Sequence, residues 1–324
     1  MLPTRIPGKT YQFNNSEHAY QHALHIIEEW ETGPLLLHYL GLTELPPIPE
    51  GVAMLFCNTN HITNLTNLPS TLTCIFCDHN LLTEITDLPL GLKRINCDFN
   101  MIAKIPHLPP TLEFLECSDN RLSCLPPLPD SLHGLNCSYN AIQTLPPLPP
   151  MLSTLICAGC KICIFPPLPR YLNYLCCAYN YLTWMSSLPP YLENFECQCN
   201  ELIRLPPIPD SITRINACHN QLMEYPDVTH ITKHDVKVFV NDNPLLEHIL
   251  DDDTEIILDN NTPWELSHQF DNHCNATKKL YELEISRDRA HIRCVVIKEQ
   301  LMINRWHPSR ILRLLEEGYE IDDI

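Results

Sequence analysis

Cationic side chains are scarce in this chain. Its 324 residues hold 21 Lys and Arg against 39 Asp and Glu, a formal charge of -18 at pH 7. That balance opposes binding to phosphate backbones and to anionic bilayers, so neither a nucleic acid nor a membrane is expected as a partner. No apolar run is long enough to span a bilayer. The opening MLPTRIPGKTYQF shows no charged start followed by an apolar stretch and a cleavage site, which predicts a soluble protein working in the cytoplasm. The 44% hydrophobic content argues against disorder.

What the chain has in abundance is a repeat. Residues 111–130, TLEFLECSDNRLSCLPPLPD, recur with a period of 20 from about residue 51 to about residue 230. A residue that returns at this interval occupies the same place in every coil of a stacked structure, and neighbouring coils bury one another's apolar face. The apolar columns are Leu112, Leu115, Leu122, Leu125 and Leu128 in this copy, and Leu192, Phe195, Leu202, Met185 and Leu188 elsewhere. An asparagine column runs through Asn60, Asn80, Asn100, Asn120, Asn140, Asn180, Asn200 and Asn220, with Cys160 standing in once. It is expected to be a structural ladder in which each amide satisfies backbone groups at a turn.

The LPPLP half of each unit fixes φ and removes amide donors, which excludes a helix and predicts an extended polyproline-type back. Leu125 and Leu128 belong to the core columns, so this segment is not read as a ligand for proline-binding modules. Seventeen cysteines would suggest disulfides in a secreted chain. Here Cys57, Cys77, Cys97, Cys117, Cys137, Cys157, Cys177 and Cys197 share one inward column. Parallel strands roughly 4.8 Å apart hold stacked Cβ atoms wider than the roughly 3.8 Å of a disulfide, so a reduced, buried spine is expected.

The run L-P-P-L-P-x-x-L-x-x-L-x-C-x-x-N-x-L matches the leucine-rich repeat. It resembles the short repeats of the bacterial effector class that includes the YopM and IpaH proteins, over roughly residues 36–226. The fold class is therefore an α/β repeat solenoid: short parallel strands on a concave face, an extended convex side and helical caps. The resemblance implies a helical segment before the repeats, export without a removable signal and action in a host-cell cytoplasm. Some members of that class add a ubiquitin-ligase domain with a nucleophilic Cys followed two residues later by Asp. The only such spacing here is Cys117-Ser118-Asp119, within the buried column, so no catalytic residue is carried over and no enzyme is expected.

Three segments follow from this reading: a lead-in and capping helix over 1–35, the solenoid over 36–249, and an acidic linker with helices over 250–324. The first helix is expected over 16–30, where Ala19, Ala23, Ile26, Ile27 and Trp30 keep helical spacing, and His18, His22 and His25 form its polar flank. Residues 36–49 supply the back half of a leading coil, and Asn243 marks a final irregular one. Further helices are expected over 278–303 and 308–317, and the tail RWHPSRILRLLEEGYEIDDI faintly resembles proteins of large DNA viruses. His273, Cys274, His291 and Cys294 do not match a strong zinc spacing, so no metal or cofactor is expected.

If the fourth to eighth positions of each unit form the strand, the fourth, sixth and eighth point outward on the concave face. The expected partner-binding residues are Phe56, Phe76, Arg94, Asp98, Phe114, Glu116, Ile156, Tyr174 and Glu196, with Asn96 and Asn136 between them. Phe99, Asp119, Tyr139 and Tyr179 adjoin at the ninth position. Aromatics among carboxylates and amides suit a protein partner, in this setting a host protein. The reading is a protein-interaction scaffold. Its alternative is an adaptor that recruits a host ubiquitin ligase through the C-terminal helices.

Overall fold

A computed structural model describes residues 16–245 except residues 106 and 232–235. The lead-in, the acidic linker, both expected C-terminal helices, the viral-like tail and the His273, Cys274, His291 and Cys294 set lie outside the described residues. Helix α1 spans Ser16–Glu28. The strands are β1 (Leu35–Leu36), β2 (Met54–Phe56), β3 (Cys74–Phe76), β4 (Arg94–Asn96), β5 (Phe114–Glu116) and β6 (Gly134–Asn136). They continue with β7 (Thr154–Ile156), β8 (Tyr174–Cys176), β9 (Asn194–Glu196), β10 (Arg214–Asn216) and β11 (Lys237–Phe239). All pair in parallel and in chain order as one 11-stranded sheet. The register repeats the sequence period, as in Leu115↔Leu135, until the last step, where Ile215↔Val238 absorbs a longer coil.

Each strand is short because the chain leaves the extended region soon after it. The ninth residue of the unit is left-handed throughout, from Thr59 at φ 54° through Phe99 at 52° to His219 at 54°. For residues other than Gly this costs on the order of 1–2 kcal/mol apiece. The turn is held by hydrogen bonds to the next coil, such as Phe99 N–H to the Ser118 carbonyl at 3.0 Å. The asparagine that follows fixes it further. Asn120 Nδ2 donates to the carbonyls of Cys97, Cys117 and Ser118 at 3.0, 3.2 and 3.0 Å, while Oδ1 accepts the Ile102 N–H at 2.9 Å. One side chain thus closes its own turn and fastens the preceding coil. Asn243 does the same for the final coil, reaching Ala217 and Val240 carbonyls at 2.9 Å each.

Inside the coil lies a single core. Leu112, Leu115, Cys117 and Leu122 are fully buried, and Leu125 nearly so, with Leu128 packed against them. Between units the chain turns without a helix: the carbonyl of the proline after the last core leucine accepts the N–H three residues on, as in Leu112 N–H to Pro109 O at 3.1 Å. At the N-terminal end Ala19 and Ala23 of α1 join the same core as Leu35 and Leu37, with Ile26, Ile27 and Trp30 packed on it. Two small side chains on one helical face let α1 approach closely.

Two expectations need correction. The leading coil is more than a back half, because β1 pairs with β2 and Leu35 and Leu37 are buried. Leu37 fills the place that cysteine takes in later coils. The strand covers only the fourth to sixth positions, because the left-handed ninth residue turns the chain before the eighth can point outward.

Candidate concave-face interaction site

The three-residue strands alternate, as in β5, where Phe114 and Glu116 are partly exposed and Leu115 is buried. The fourth and sixth positions of successive coils therefore form two rows along the concave face. Neighbouring side chains in these rows meet across the register. Phe56 and Phe76 stack with centroids 4.6 Å apart and planes 8° from parallel. The Arg94 guanidinium lies 4.4 Å from the Phe114 ring centre, and that of Arg214 lies 4.6 Å from the Phe239 ring. Such stacking holds a flexible cation in one orientation.

Carboxylates differ along the face. Asp98, at the eighth position, is half-buried and turned to the backbone, where it accepts the Ser118 N–H at 2.6 Å. Burial, and then the nearby Glu116, push its carboxyl well above the usual range. Other eighth-position side chains, Asn58, Ser118, Ser138, Ala158 and Ala178, are buried. Ser138 likewise accepts the Ala158 N–H, at 3.1 Å. Glu196 is only 8% exposed, with Arg214 Nε 3.9 Å from its Oε1. Burial raises its carboxyl above the ordinary value, and Arg214 and a hydrogen bond from Gln198 oppose that.

Between these charged ends lies an apolar patch. Ile156, Ala158, Cys176 and Ala178 make a second small cluster apart from the main core, with Tyr174 and Tyr179 against it. Burial, then Glu196, pushes the Cys176 thiol up to about 12. Burial also drives the Tyr174 and Tyr179 phenols upward, aided by Glu196 and Cys199 respectively. The patch therefore stays uncharged near neutrality. Ile156, itself 8% exposed, is its floor, while Tyr174 remains partly exposed beside it.

The ninth-position rings pack along their own row. Phe99 meets His79 with centroids 4.2 Å apart. A Cβ at Gly159 would collide with the Tyr139 ring, and Gly159 also has φ of +64°, so only glycine fits there. Residues that sequence reasoning missed are Cys176, Ala158 and Ala178 in the patch and the Arg214–Phe239 pair. The 20-residue register placed them beside the expected ones, but their small or ordinary side chains gave no signal of their own.

Every cysteine of the inward column is fully buried, and all are free thiols. The sulfurs of Cys77, Cys97 and Cys157 point at carbonyls of the next coil, as Cys97 Sγ to Glu116 O at 3.3 Å. Cys117 is among them, and burial, then Asp98, pushes its thiol well upward. That environment suppresses the thiolate a nucleophile needs.

No family model and no curated protein matches the chain. Solved structures do. YopM from Yersinia enterocolitica WA-314 is 34% identical, with a TM-score of 0.62 over 66% of this chain and 48% of that one. The fold is a leucine-rich repeat solenoid. Its structural neighbours are YopM and other leucine-rich repeat proteins, and the chain spans about half, 48%, of the YopM chain it matches. The functional domain of InlJ from Listeria monocytogenes, described as including a cysteine ladder, is 25% identical with a TM-score of 0.50, covering 67% of this chain and 55% of its own. The octameric complex of Latrophilin 3, Unc5D and FLRT2, with FLRT2 as the leucine-rich repeat, matches at 20% identity and TM-score 0.53 over 64% of this chain and 81% of that one, a likeness of fold alone. Among the described residues no helix is long and apolar enough to cross a membrane.

Proposed function

We propose that the leucine-rich repeat solenoid is a non-enzymatic scaffold that binds a protein partner, a host protein met in the host-cell cytoplasm, on its concave face. One observation carries this reading: an apolar cluster of Ile156, Cys176, Ala158 and Ala178, flanked by Tyr174 and Tyr179, lies on the strand side and outside the main core. Partly exposed Tyr174 and Tyr179 over that buried cluster, with half-exposed Phe114 and Glu116 on one side and Glu196 with Arg214 on the other, have the anatomy of an interface centre with a polar rim. Complexes formed by other leucine-rich repeat proteins agree with a protein partner.

A photo-crosslinking residue placed in the full chain at Tyr174, and separately at the exposed convex-edge Tyr171, tests the reading. Crosslinking of one protein species from Tyr174 and none from Tyr171 is expected. The opposite pattern would move the site off the concave face. Ligase subunits captured by the full chain, and lost on removing residues 250–324, would favour the adaptor reading instead.

A further inference from the structure

The proline-rich back of the solenoid is interrupted at the coil of β8. The coils on either side carry Pro166-Pro167 and Pro206-Pro207 at the sixteenth and seventeenth positions of the unit, where this coil carries Ser186-Ser187. Proline has no N–H, so the flanking coils present a back without amide donors at these positions. Ser186 and Ser187 restore two N–H groups and add two hydroxyls. Both residues are exposed, and neither donates a hydrogen bond to any of the described residues.

A groove lies beside this interruption, lined by Ile164, Phe165, Leu168, Trp184, Met185 and Ser186. Phe165, Leu168 and Met185 pack on the main core and form its floor. Ile164 and Trp184, on adjoining coils, stand 59% and 54% exposed at its sides. At the fifteenth position Leu125 and Leu145 are buried, whereas Phe165 and Met185 stay partly exposed. No charged side chain lines the groove, although the chain has a formal charge of -18. A charged group entering it would shed water without meeting a countercharge, which selects an uncharged occupant. The empty space, about 250 Å³ with its solvent-open part included, falls short of the roughly 300–1,000 Å³ that encloses a small molecule. An occupant therefore lies across the groove.

We propose that this groove binds an uncharged, proline-rich segment of a protein in the polyproline II conformation, at a second site separate from the concave face. Such a segment makes no internal hydrogen bonds, so its carbonyls are free to accept. The N–H groups and hydroxyls of Ser186 and Ser187 are unpartnered donors that match them. Proline rings are apolar and pack on the flat indole of Trp184, with Ile164 on the adjoining coil. Aromatic-lined grooves take such ligands readily because the bound conformation already exists in the free segment. Other secondary structures match less well. A helix commits its carbonyls to its own ladder, and an added strand needs a sheet edge, which the back does not offer.

Acetylated decaproline amide is the probe, titrated into the full chain labelled with 5-fluorotryptophan, with the Trp184 resonance assigned by its loss in Trp184→Phe. A saturable shift of the Trp184 resonance is expected, with Trp30 unmoved and no shift from acetylated decaglutamate amide. The double variant Ser186→Pro, Ser187→Pro supplies the residues of the flanking coils and removes both amide donors. It should melt close to the parent and bind decaproline about tenfold more weakly or worse, through the loss of two hydrogen bonds. Tyr174→Ala, on the concave face, should bind decaproline as the parent does, so this site and the concave-face reading can fail separately. The absence of a saturable shift at Trp184, undiminished binding by the double variant, or equal binding of decaglutamate would overturn the proposal. So would sedimentation of the parent as a dimer that Trp184→Ala converts to a monomer, which would assign the groove to a second copy of the chain.

Discussion

The Asp98 carboxylate accepts the backbone N–H of Ser118 in the next coil at 2.6 Å, and burial and Glu116 hold its pKa well above the usual carboxylate range. A carboxyl raised in the folded state binds its proton more tightly there than in the unfolded chain. Its contribution to stability is therefore fully present below the unfolded value and is lost as pH rises through the folded one. Asn at this position keeps an acceptor oxygen and discards the charge. Asp98→Asn should melt at or above the parent temperature near neutral pH, and its advantage should shrink on acidification toward pH 4. Thermal melts across that range check this; an advantage that grows with acid would contradict it.

Asn120 links three carbonyls and one N–H of two coils. Asn120→Ala leaves these half-buried groups without a partner and should cost about 1–3 kcal/mol in denaturant unfolding. Binding of a concave-face partner by the fraction still folded should be unaffected, since the side chain points into the coil.

The thiols divide sharply by position. Cys124 and Cys163 are exposed, whereas the column from Cys57 to Cys197 is fully buried with its thiols pushed upward by burial. A brief pulse of a charged alkylating reagent at neutral pH should label the first two and spare the column, which should react only after denaturation. Rapid labelling of the column in folded protein would contradict its assignment to the core.

Helix α1 covers the first coil through Ala19 and Ala23, with Ile26, Ile27 and Trp30 beside them. Deleting residues 1–33 would expose Leu35, Leu37 and Leu42, and terminal coils without such a cover associate through their apolar ends. Light scattering should show aggregation of the truncated chain. A monomer with an unchanged melt would show that α1 is not a cap.

The repeat made most of the solenoid legible. A 20-residue period assigns β2 to β10 their neighbours and register, so the Leu115 and Cys117 columns could be placed in the core from spacing alone. What the spacing hid depends on conformation. Thr59, Phe99 and Tyr139 are poor candidates for a left-handed residue, so nothing in their chemistry announced the early turn that shortens the strand and buries the eighth position. β1 escaped notice because Leu37 and Leu40 stand where Cys and Asn mark the other coils. The ring stacking of Arg94 on Phe114 needs side-chain direction as well as register.

Partner binding by the concave face is tested most directly with a triple variant of the full chain, Phe114→Ala, Glu116→Ala and Tyr174→Ala. All three side chains are partly exposed on the strands, whereas Ile156 is left in place because its burial would confound stability with binding. Titration of the partner identified by crosslinking should show affinity reduced by at least tenfold, about 1.4 kcal/mol, since interface centres concentrate the energy of binding in a few large side chains. The circular dichroism melt of the variant should stay close to that of the parent. Undiminished affinity in a variant with an unchanged melt would contradict the concave-face account.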